Sequence, residues 1–401
     1  MNGPLAGVKV LEFGTLIAGP FAARMLAEFG ADVVKIEDPD GGDPLRRWRY
    51  LHGGTSLWWS VQARNKKSVA LNLKDARARE LALRLALDAD IVIENFRPGV
   101  LEKLGLGFAQ LAERNPATIM VRLSGYGQTG PMRERPGFGA IGEAMGGIRH
   151  VTGYPDRPPV RIGLSIGDSI AALHAVAGAL MALHHRDATG GRGGGRGQMV
   201  DVALYESVFN MMESTVPEYD RFGVVRERTG TSLPGIVPSN TYTCEDGAAV
   251  VIGGNGDAIF KRLMAAIGRA DLAADPQLAH NDGRVPRAAE IDTAIQDWCA
   301  RHPIDRALEA LERAQVPASR IYSVADMFAD AQFQARAIIE EHRLADGTPL
   351  RVPAVLPKLS ETPGATRWLG PALGEHTDEV LASIGVSREE IERLRGDGAI
   401  R

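Results

Sequence analysis

Residues 8–37 read VKVLEFGTLIAGPFAARMLAEFGADVVKIE and decide the fold of this 401-residue chain. The stretch predicts an apolar strand over 8–13, a helix that Gly30 ends, and a second strand over 31–37. Two strands joined by a helix through short connections form a βαβ unit. Such a unit implies parallel strands.

The alternation continues, with strands predicted over 68–73, 91–94 and 118–123 and a helix over 76–87. This pattern places a parallel sheet between two layers of helices, with ligands at the carboxyl ends of the strands. We therefore predict an α/β fold with a Rossmann-like large domain. The turn GTLIAGP (14–20) lacks the glycine fingerprint of dinucleotide sites, so no nicotinamide or flavin cofactor is expected.

A smaller α+β domain is predicted at 225–325. Within it, 241–253 alternates as a hairpin and 258–315 has a helical pattern. Linkers are expected at 200–224 and 326–339 on either side of this domain.

Residues 1–199 form the predicted large domain. Its last segment, 187–198, is rich in glycine and predicts a flexible surface loop, and a helical pattern follows over 200–212. The tail contains a strand candidate over 343–352 and a final helix over 377–384.

The chain has 46 basic and 50 acidic residues, a formal net charge of −4, so neither nucleic acid nor an anionic membrane is an expected partner. Cys244 and Cys299 have no metal-site spacing, so no metal is expected and a reduced compartment fits both. No signal peptide is evident, and the longest apolar stretch, 170–183, is too short to span a bilayer. We therefore expect a cytoplasmic protein.

Asp168 stands between Gly167 and Ser169, directly before a helical pattern over 170–185. One interpretation is structural, because an aspartate at a helix start accepts hydrogen bonds from the N–H groups of the first turn. The other is chemical, because the same position keeps the carboxylate ionised and directs it out of the fold as an oxygen nucleophile. The residues alone leave both open.

The glycine loop, Gly253-Gly254-Asn255-Gly256-Asp257, follows the predicted hairpin. It is either a turn that needs positive φ or a mobile lid that offers N–H donors and excludes water. The residues alone do not separate these two roles.

The pentapeptide GLSIG (163–167) matches the nucleophile elbow of α/β-hydrolases. The preceding segment, 155–162, contains three prolines and is a poor central strand, which disfavours a hydrolase.

Together these motifs resemble the family III CoA-transferases (the CaiB/BaiF-like enzymes), which include formyl-CoA transferase and the oxalate- and succinate-dependent CoA-transferases. The matching stretches follow the family order over nearly the whole chain: VLEFGTLIAGPFAARMLAEFGADVVKIE, NKKSVALNLK, ENFRPGVLEKLGLG, LSGYGQTGP, GDSIAALHAV, GRGQMVDVALYES, GGNGD and LGEHTDEVL. The resemblance implies an interlocked homodimer in which residues 340–401 complete the large domain.

By the same resemblance, Asp168 is the catalytic nucleophile, which forms a mixed anhydride and then an aspartyl-CoA thioester. Gly253 and Gly254 belong to the lid that protects the anhydride from water. The resemblance implies no permanently bound cofactor. The expected partners are acyl-CoA, for example succinyl-CoA, and a small carboxylic acid.

The resemblance also carries over the contacts of CoA. They fall on Ile17, Ala18, Leu71, Asn72, Leu73, Lys74, Asn95, Phe96, Arg97, Lys103, Ser124, Gly125, Tyr126 and Gly127. Asp38 stands where several members have an arginine that touches CoA, and Arg46, Arg47 or Lys67 would compensate for it. Ile17 replaces a glutamine of formyl-CoA transferase, which argues against oxalate and formate and favours a larger acid, either a dicarboxylate such as succinate or a branched C5–C6 acid. Arg226 or Arg228 would clamp the distal carboxylate of a dicarboxylate.

Two rival functions are open. The sequence also resembles the α-methylacyl-CoA racemases, which use a histidine and an aspartate to move a proton. Phe138 occupies the position of that histidine here, so the base is missing. The second rival is a non-catalytic CoA-binding protein, which the presence of Asp168 and the glycine loop disfavours.

Overall fold

The computed structural model describes residues 3–401, which form two compact units. The first unit takes the chain up to Ile148, Ile162–Val224 and Ala335–Arg401, and the second takes Arg149–Arg161 and Val225–Gln334. Residues 200–224, which the sequence predicts as a linker, are grouped with the first unit. The second unit also gains a segment from the first half of the chain.

Up to Phe222 the strands are β1 (Lys9–Glu12), β2 (Asp32–Glu37), β3 (Leu51–His52), β4 (Thr55–Ser56), β5 (Lys66–Ala70), β6 (Ile91–Glu94), β7 (Ile119–Ser124) and β8 (Met199–Ala203). The helices are α1 (Ala18–Glu28), α2 (Leu57–Gln62), α3 (Ala76–Asp88), α4 (Val100–Lys103), α5 (Phe108–Arg114), α6 (Gly139–Met145), α7 (Ile148–Val151), α8 (Ile166–Ala188), α9 (Gly191–Gly194), α10 (Leu204–Phe209) and α11 (Thr215–Phe222).

Six of these strands form one parallel sheet in the order β5-β2-β1-β6-β7-β8. In this order the chain starts at the centre, builds one half outward and returns to build the other half, as in doubly wound folds. The predicted α/β class and parallel sheet are confirmed. The predicted strand over 68–73 starts two residues earlier, at Lys66, because β5 pairs with β2 from Val33 onward.

Only Leu204–Phe209 of the predicted helix over 200–212 is helical, because Met199–Ala203 is strand β8. This strand pairs in parallel with β7 at the edge of the sheet, with Val202 opposite Leu123. Its alternation is too short to separate a strand from a helix, so the hydrogen bonds to β7 decide the structure.

The glycine-rich segment 187–198 is not simply a flexible loop. It contains the single turn α9, and two of its glycines lie directly against other backbone. A Cβ at Gly195 would overlap the carbonyl oxygen of Arg186, and one at Gly197 would overlap that of Thr118. Glycine permits this close approach, which returns the chain to the sheet.

The second unit contains strands β9 (Ser239–Thr243), β10 (Ala249–Gly253) and β11 (Ala318–Arg320), and helices α12 (Asp257–Ala266), α13 (Ala270–Ala274), α14 (Asn281–Arg284), α15 (Ala288–Cys299), α16 (Ile304–Arg313), α17 (Val324–Ala329) and α18 (Ala331–Ala335). The strands form an antiparallel sheet in the order β11-β10-β9. The predicted hairpin and helical stretch are confirmed. Val250, Ile252, Phe260 and Leu263 belong to the core of this unit.

The tail forms strands β12 (Ile339–Arg343) and β13 (Pro349–Pro353) and helices α19 (Thr377–Ser383) and α20 (Arg388–Gly396). The predicted single strand near 343–352 is therefore a hairpin, and α19 is not the final helix. Helix α20 is rich in charged residues, but its Ile391 and Leu394 are buried. After it, Ile400 forms a bridge with Leu71 beside β5.

Helices cover both faces of the parallel sheet. On one face, α3, α19 and α20 contribute Leu81, Leu381 and Leu394 to a core with strand residues such as Val92. On the other face, α1 and α8 pack their alanines against strand residues such as Ile93. Alanine allows these two helices to approach the sheet and each other closely.

Helix α8 has 23 residues and few charges, so by length and composition alone it could cross a bilayer. The prediction that 170–183 marks a stretch too short to do so is therefore wrong. One side of the helix, which includes Ala171 and Ala175, is buried in the core, and Leu173 and Met181 are exposed.

Candidate active site at the carboxyl edge of the sheet

The loops after the parallel strands meet at one edge of the sheet. Loops 13–17 and 95–97 follow β1 and β6, the neighbouring strands between which the strand order reverses. Ligands of open α/β sheets bind outside the carboxyl ends of the strands at such a switch point. Segments 71–74 and 124–127 follow β5 and β7 at the same edge.

Helix α8 places Asp168 at this edge. Near its other end, Arg186 pairs with Asp90, which directly precedes β6, at 2.5 Å. The chain beyond it returns to the start of β7, where Gly197 N donates to Pro116 O at 2.9 Å. Since the carboxyl end of α8 lies at the amino edge of the sheet, Asp168 at its start lies at the carboxyl edge.

Asp168 does not cap its helix. Helix α8 begins at Ile166, with Ser165 at the capping position, so the aspartate sits inside the first turn. The prediction of Asp168 as the N-cap is therefore wrong, because the helix extends further toward the N-terminus than 170–185. A carboxylate in the first turn is still stabilised by the helix dipole, and the residue is half-buried.

The carboxylate of Asp168 lies against the backbone of Gly139. A Cβ at Gly139, the first residue of α6, would lie 2.6 Å from Asp168 Cγ and overlap Oδ2. Beside it, a Cβ at Gly167 would lie 2.9 Å from Gly139 O. Gly167 N also donates to Glu143 Oε1 at 3.5 Å, a long bond between α8 and α6. These contacts leave one face of the carboxylate against bare backbone.

Segment 124–127 is connected to the same place. Ser124 Oγ accepts a hydrogen bond from Gly127 N at 3.0 Å and closes the turn. A Cβ at Gly125 would lie 3.0 Å from Gly137 Cα, and one at Gly137 would lie 3.3 Å from the ring of Tyr126. Because Gly137 is two residues before Gly139, the structure brings Tyr126 and Asp168 to neighbouring positions.

Segment 71–74 and Phe96 line a cavity of about 350 Å³. Phe13, Leu71, Leu73 and Phe96 give it apolar walls suited to a flat ring. Asp38, the position of the missing arginine, lies at the same cavity.

Three cations lie at this edge. Lys74, Arg97 and Lys103 are exposed, and none of them forms an ion pair within residues 3–401. Cations without carboxylate partners suit phosphate oxygens.

Two of the three cations expected to compensate for Asp38, Arg46 and Lys67, are already paired within the protein. Arg46 is buried and bound to Glu37 at 2.8 Å, and Lys67 pairs with Asp32 and Glu379. Neither is available to a ligand in place of the arginine.

Asn95 is occupied by the protein itself. Its Oδ1 accepts from Thr15 N and its Nδ2 donates to Thr15 O, both at 2.8 Å. Gln62 Nε2 donates to Ile17 O at 2.9 Å. In this structure Asn95 and Gln62 therefore fix the loop that leads to Ile17 and Ala18.

A buried ionic cluster behind this loop was missed in the sequence. Glu12 pairs with Lys35 at 2.8 Å and with Lys66 at 2.7 Å, and Lys35 also pairs with Asp43 at 2.9 Å. Burial lowers the pKa of Lys66 to about 8, against the attraction of Glu12. The available signal was a charged residue inside each of two apolar strands, VLEF and VVKIE.

Gly253 and Gly254 lie in the second unit. Gly254 N donates to Pro238 O at 2.9 Å, and a Cβ there would lie 2.9 Å from Pro238 Cγ. Positive φ occurs at neither glycine nor at Gly256, so the expected turn with positive φ is wrong. Close packing explains Gly254 instead.

Arg228, one of the two arginines expected to bind a distal carboxylate, forms hydrogen bonds within the second unit. Its guanidinium donates to the carbonyl oxygens of Tyr154 and His150, at 3.3 and 3.0 Å. Among residues 3–401, no group of three histidine, cysteine or acidic side chains could hold a metal ion.

A doubly wound sheet, a carboxylate at its switch-point edge and a partly apolar cavity beside the exposed Lys74 are typical of an α/β enzyme that binds a nucleotide-like ligand. Residues 5–377 match the profile of CoA-transferase family III, and the chain belongs to this family.

The relatives support the same assignment. The chain is 47% identical, over 99% of its length and 98% of the relative, to succinyl-CoA–D-citramalate CoA-transferase of Chloroflexus aurantiacus. It is 42% identical to the beta subunit of succinyl-CoA–L-malate CoA-transferase of that organism, over 99% and 98% of the two chains. The crystal structure of a CaiB/BaiF family protein from Brucella suis superposes with a TM-score of 0.81 at 34% identity, over 96% of this chain and 100% of that one. The protein is thus a CoA-transferase.

Proposed function

We propose that this enzyme moves CoA from succinyl-CoA to a short dicarboxylic acid of the malate and citramalate type, through covalent intermediates on Asp168. The two named relatives use succinyl-CoA and a hydroxydicarboxylic acid. The apolar Ile17 at the start of α1 supports an acceptor larger than oxalate or formate.

In the proposed reaction, a carboxylate oxygen of Asp168 attacks the thioester carbonyl, and the CoA thiolate leaves from a mixed anhydride. The thiolate then attacks Cγ of Asp168, which releases succinate and leaves an aspartyl-CoA thioester. The acceptor carboxylate attacks this thioester and forms a second anhydride. The thiolate resolves it to the new acyl-CoA and restores Asp168. One thioester is exchanged for another, so no further energy source is needed.

The observation that carries the proposal is the position of Asp168. It is half-buried in the first turn of α8, at the carboxyl edge of the sheet, and its carboxylate lies against Gly139. A glycine at this position makes room for the Asp168 carboxylate itself, and the helix start favours the anion.

The proposed CoA site extends from Tyr126 to the cavity at 71–74. Phe96 and Leu73 offer apolar surface to the adenine of CoA, and the exposed Lys74, Arg97 and Lys103 bind the phosphates of CoA. No cofactor is held permanently, because CoA itself is the substrate. The glycine loop at 253–257 would exclude water from the anhydride.

We also propose a cytoplasmic homodimer. Cys244 and Cys299 are buried free thiols, which suits a reduced compartment. Large apolar side chains are exposed on α8 and α10, among them Leu173, Met181 and Phe209, and such surface marks an interaction site. Burial of α8 against a second chain, and not in a membrane, is proposed. Light scattering of the purified protein at two concentrations tests it.

The function is tested by mass spectrometry in heavy water. Purified protein is mixed with succinyl-CoA and a panel of malate, citramalate, glutarate, oxalate and acetate. We expect new CoA thioesters of the first two acids, without deuterium, and none with Asp168→Ala. Deuterium in the acyl group without exchange of acids would instead establish a racemase-type reaction. CoA binding without either product would establish a binding protein.

A further inference from the structure

The loop between β1 and α1 contains a backbone conformation that its residue does not favour. Leu16 has a φ of +66°, in the left-handed region that glycine adopts freely and leucine does not. A leucine stays there only when surrounding groups hold it. The next two residues, Ile17 and Ala18, begin α1 without a side-chain cap.

Asp43 stabilises this conformation of Leu16 through hydrogen bonds. The N–H of Leu16 donates to both oxygens of its carboxylate, at 3.0 and 3.1 Å. The same carboxylate accepts from Leu45 N at 2.9 Å, and the side chain is buried.

Lys35 fixes Asp43 in turn. Its buried ammonium lies 2.9 Å from Asp43, 2.8 Å from Glu12 and 2.5 Å from the carbonyl oxygen of Gly14. Burial opposes this charge, but the carboxylates outweigh it and raise the pKa of Lys35 above its ordinary value. One charged group thus binds both the loop and the carboxylate that orients Leu16.

Side chains also bind two other residues of the loop: Asn95 binds the backbone of Thr15, and Gln62 binds Ile17 O. Within residues 3–401, the N–H of Leu16, where the backbone is strained, is bound by Asp43 alone.

We infer that Asp43 is a positioning residue for CoA transfer: it keeps Leu16 left-handed so that the start of α1, at Ile17 and Ala18, faces the acyl-CoA. This inference rests on the proposed function of the same site. Asp43 also lines the wall of the cavity at 71–74, but the residue is 1% exposed and its carboxylate is bound by Lys35 and the N–H groups of Leu16 and Leu45, so it acts through Leu16.

A double-mutant cycle with glycine tests the mechanism, since glycine adopts the left-handed conformation without help. In an otherwise unchanged chain, Asp43→Asn places an amide NH₂ against either Lys35 or the N–H of Leu16. We expect kcat of the succinyl-CoA reaction to fall about tenfold, with a smaller change in KM. In a Leu16→Gly background the same change should lower kcat by less than about threefold.

Asp43→Glu provides a second variant in which the partner of Lys35 keeps its charge. The longer side chain displaces the carboxylate from Leu16 N, so kcat should fall similarly and again be rescued by Leu16→Gly. Thermal unfolding and circular dichroism establish that each variant is folded.

Two matched controls separate positioning from general stability. Glu28 is a buried acid paired with Arg64 at 2.5 Å, and Arg49 has a φ of +61°. Leu16→Gly should not change the effect of Glu28→Gln, and Arg49→Gly should not rescue Asp43→Asn.

Equal losses from Asp43→Asn in both Leu16 backgrounds, with active unmutated enzyme, would overturn this inference alone. Absence of CoA transfer by the unmutated enzyme would overturn the proposed function and the inference together.

Discussion

Asp43 and Asp168 belong to the same unit, and both lie at the carboxyl edge of the sheet, but their surroundings differ. Asp43 is 1% exposed and is surrounded by donors from Lys35, Leu16 and Leu45. Asp168 is half-buried, and its carboxylate lies against Gly139.

The difference shows how the same residue type can have a structural role in one place and a chemical role in another. A carboxylate whose oxygens are saturated by buried donors holds its surroundings in place and is a poor nucleophile. A carboxylate at a helix start, with only backbone on one side, remains accessible to a substrate. Four measurements test whether this separation holds.

The largest effect is expected for Asp168→Asn. The amide cannot form the anhydride, so kcat should fall at least about 10³-fold, with little change in the unfolding temperature. Mass spectrometry after mixing with succinyl-CoA should find a CoA adduct on the peptide that contains Asp168 in the unmutated enzyme and none in the variant. An adduct on another residue would remove Asp168 from the nucleophile role.

In addition to its effect on kcat, Asp43→Asn should lower the free energy of unfolding by about 3 kcal/mol near neutral pH, because Lys35 loses a buried partner. Burial opposes ionisation of Asp43, but Lys35 and backbone N–H donors lower its pKa below 3.8. Because the pKa of Asp43 is lower in the folded state, its ionisation stabilises the protein at pH values above the pKa of an unfolded aspartate. This stabilisation is lost as the pH falls through the pKa of the folded state.

The difference in unfolding free energy between the unmutated enzyme and Asp43→Asn should therefore be largest above pH 4 and shrink below it. Urea unfolding from pH 2.5 to 7 measures it, with Asp168→Asn as the control that keeps the Asp43–Lys35 pair. A constant difference over this pH range would contradict the assignment.

Gly139→Ala should lower kcat by roughly 10- to 100-fold, because its Cβ would overlap the carboxylate of Asp168. The φ of Gly139 is not in the left-handed region, so the backbone itself tolerates alanine. Gly163→Ala is the matched control, since a Cβ there meets nothing within 4 Å. Comparable kcat values for the two variants would show that the contact at Gly139 is unimportant.

The smallest effects are expected at the three exposed cations. Lys74→Ala, Arg97→Ala and Lys103→Ala should each raise KM for succinyl-CoA about three- to tenfold and leave kcat unchanged, because solvent screens single surface charges. Added salt should reduce the differences. Lys261→Ala, which removes an exposed lysine of the second unit, should leave KM unaltered.

Much of the fold followed from local patterns. The strand at 91–94 and the helix from Ala76 agree with the structure within a residue, because apolar periodicity and short connections suffice there. The predictions were wrong where contacts with distant segments determine the secondary structure. Met199–Ala203 is a strand because it pairs with β7, and the mostly charged helix α20 packs through only two apolar residues.

In the candidate site, too, some residues could be predicted from the local sequence and others could not. Asp168 was visible because a carboxylate preceded a long helical pattern. The roles of Asn95 and Asp43 were not visible, because they bind loop residues 80 and 27 positions away in the chain. Gly139 carried no signal as a contact of Asp168, since nothing in the local sequence shows which backbone approaches it.

The sequence by itself determined the α/β alternation, the family and the candidate nucleophile, because these depend on residue types at short, fixed spacings. Only the tertiary structure decided how the carboxylates are used. Burial, the approach of Gly139 to Asp168 and the ion pair of Lys35 with Asp43 arise when distant segments meet at one edge of the sheet. The energy of a charge depends on those neighbours more than on its own residue type.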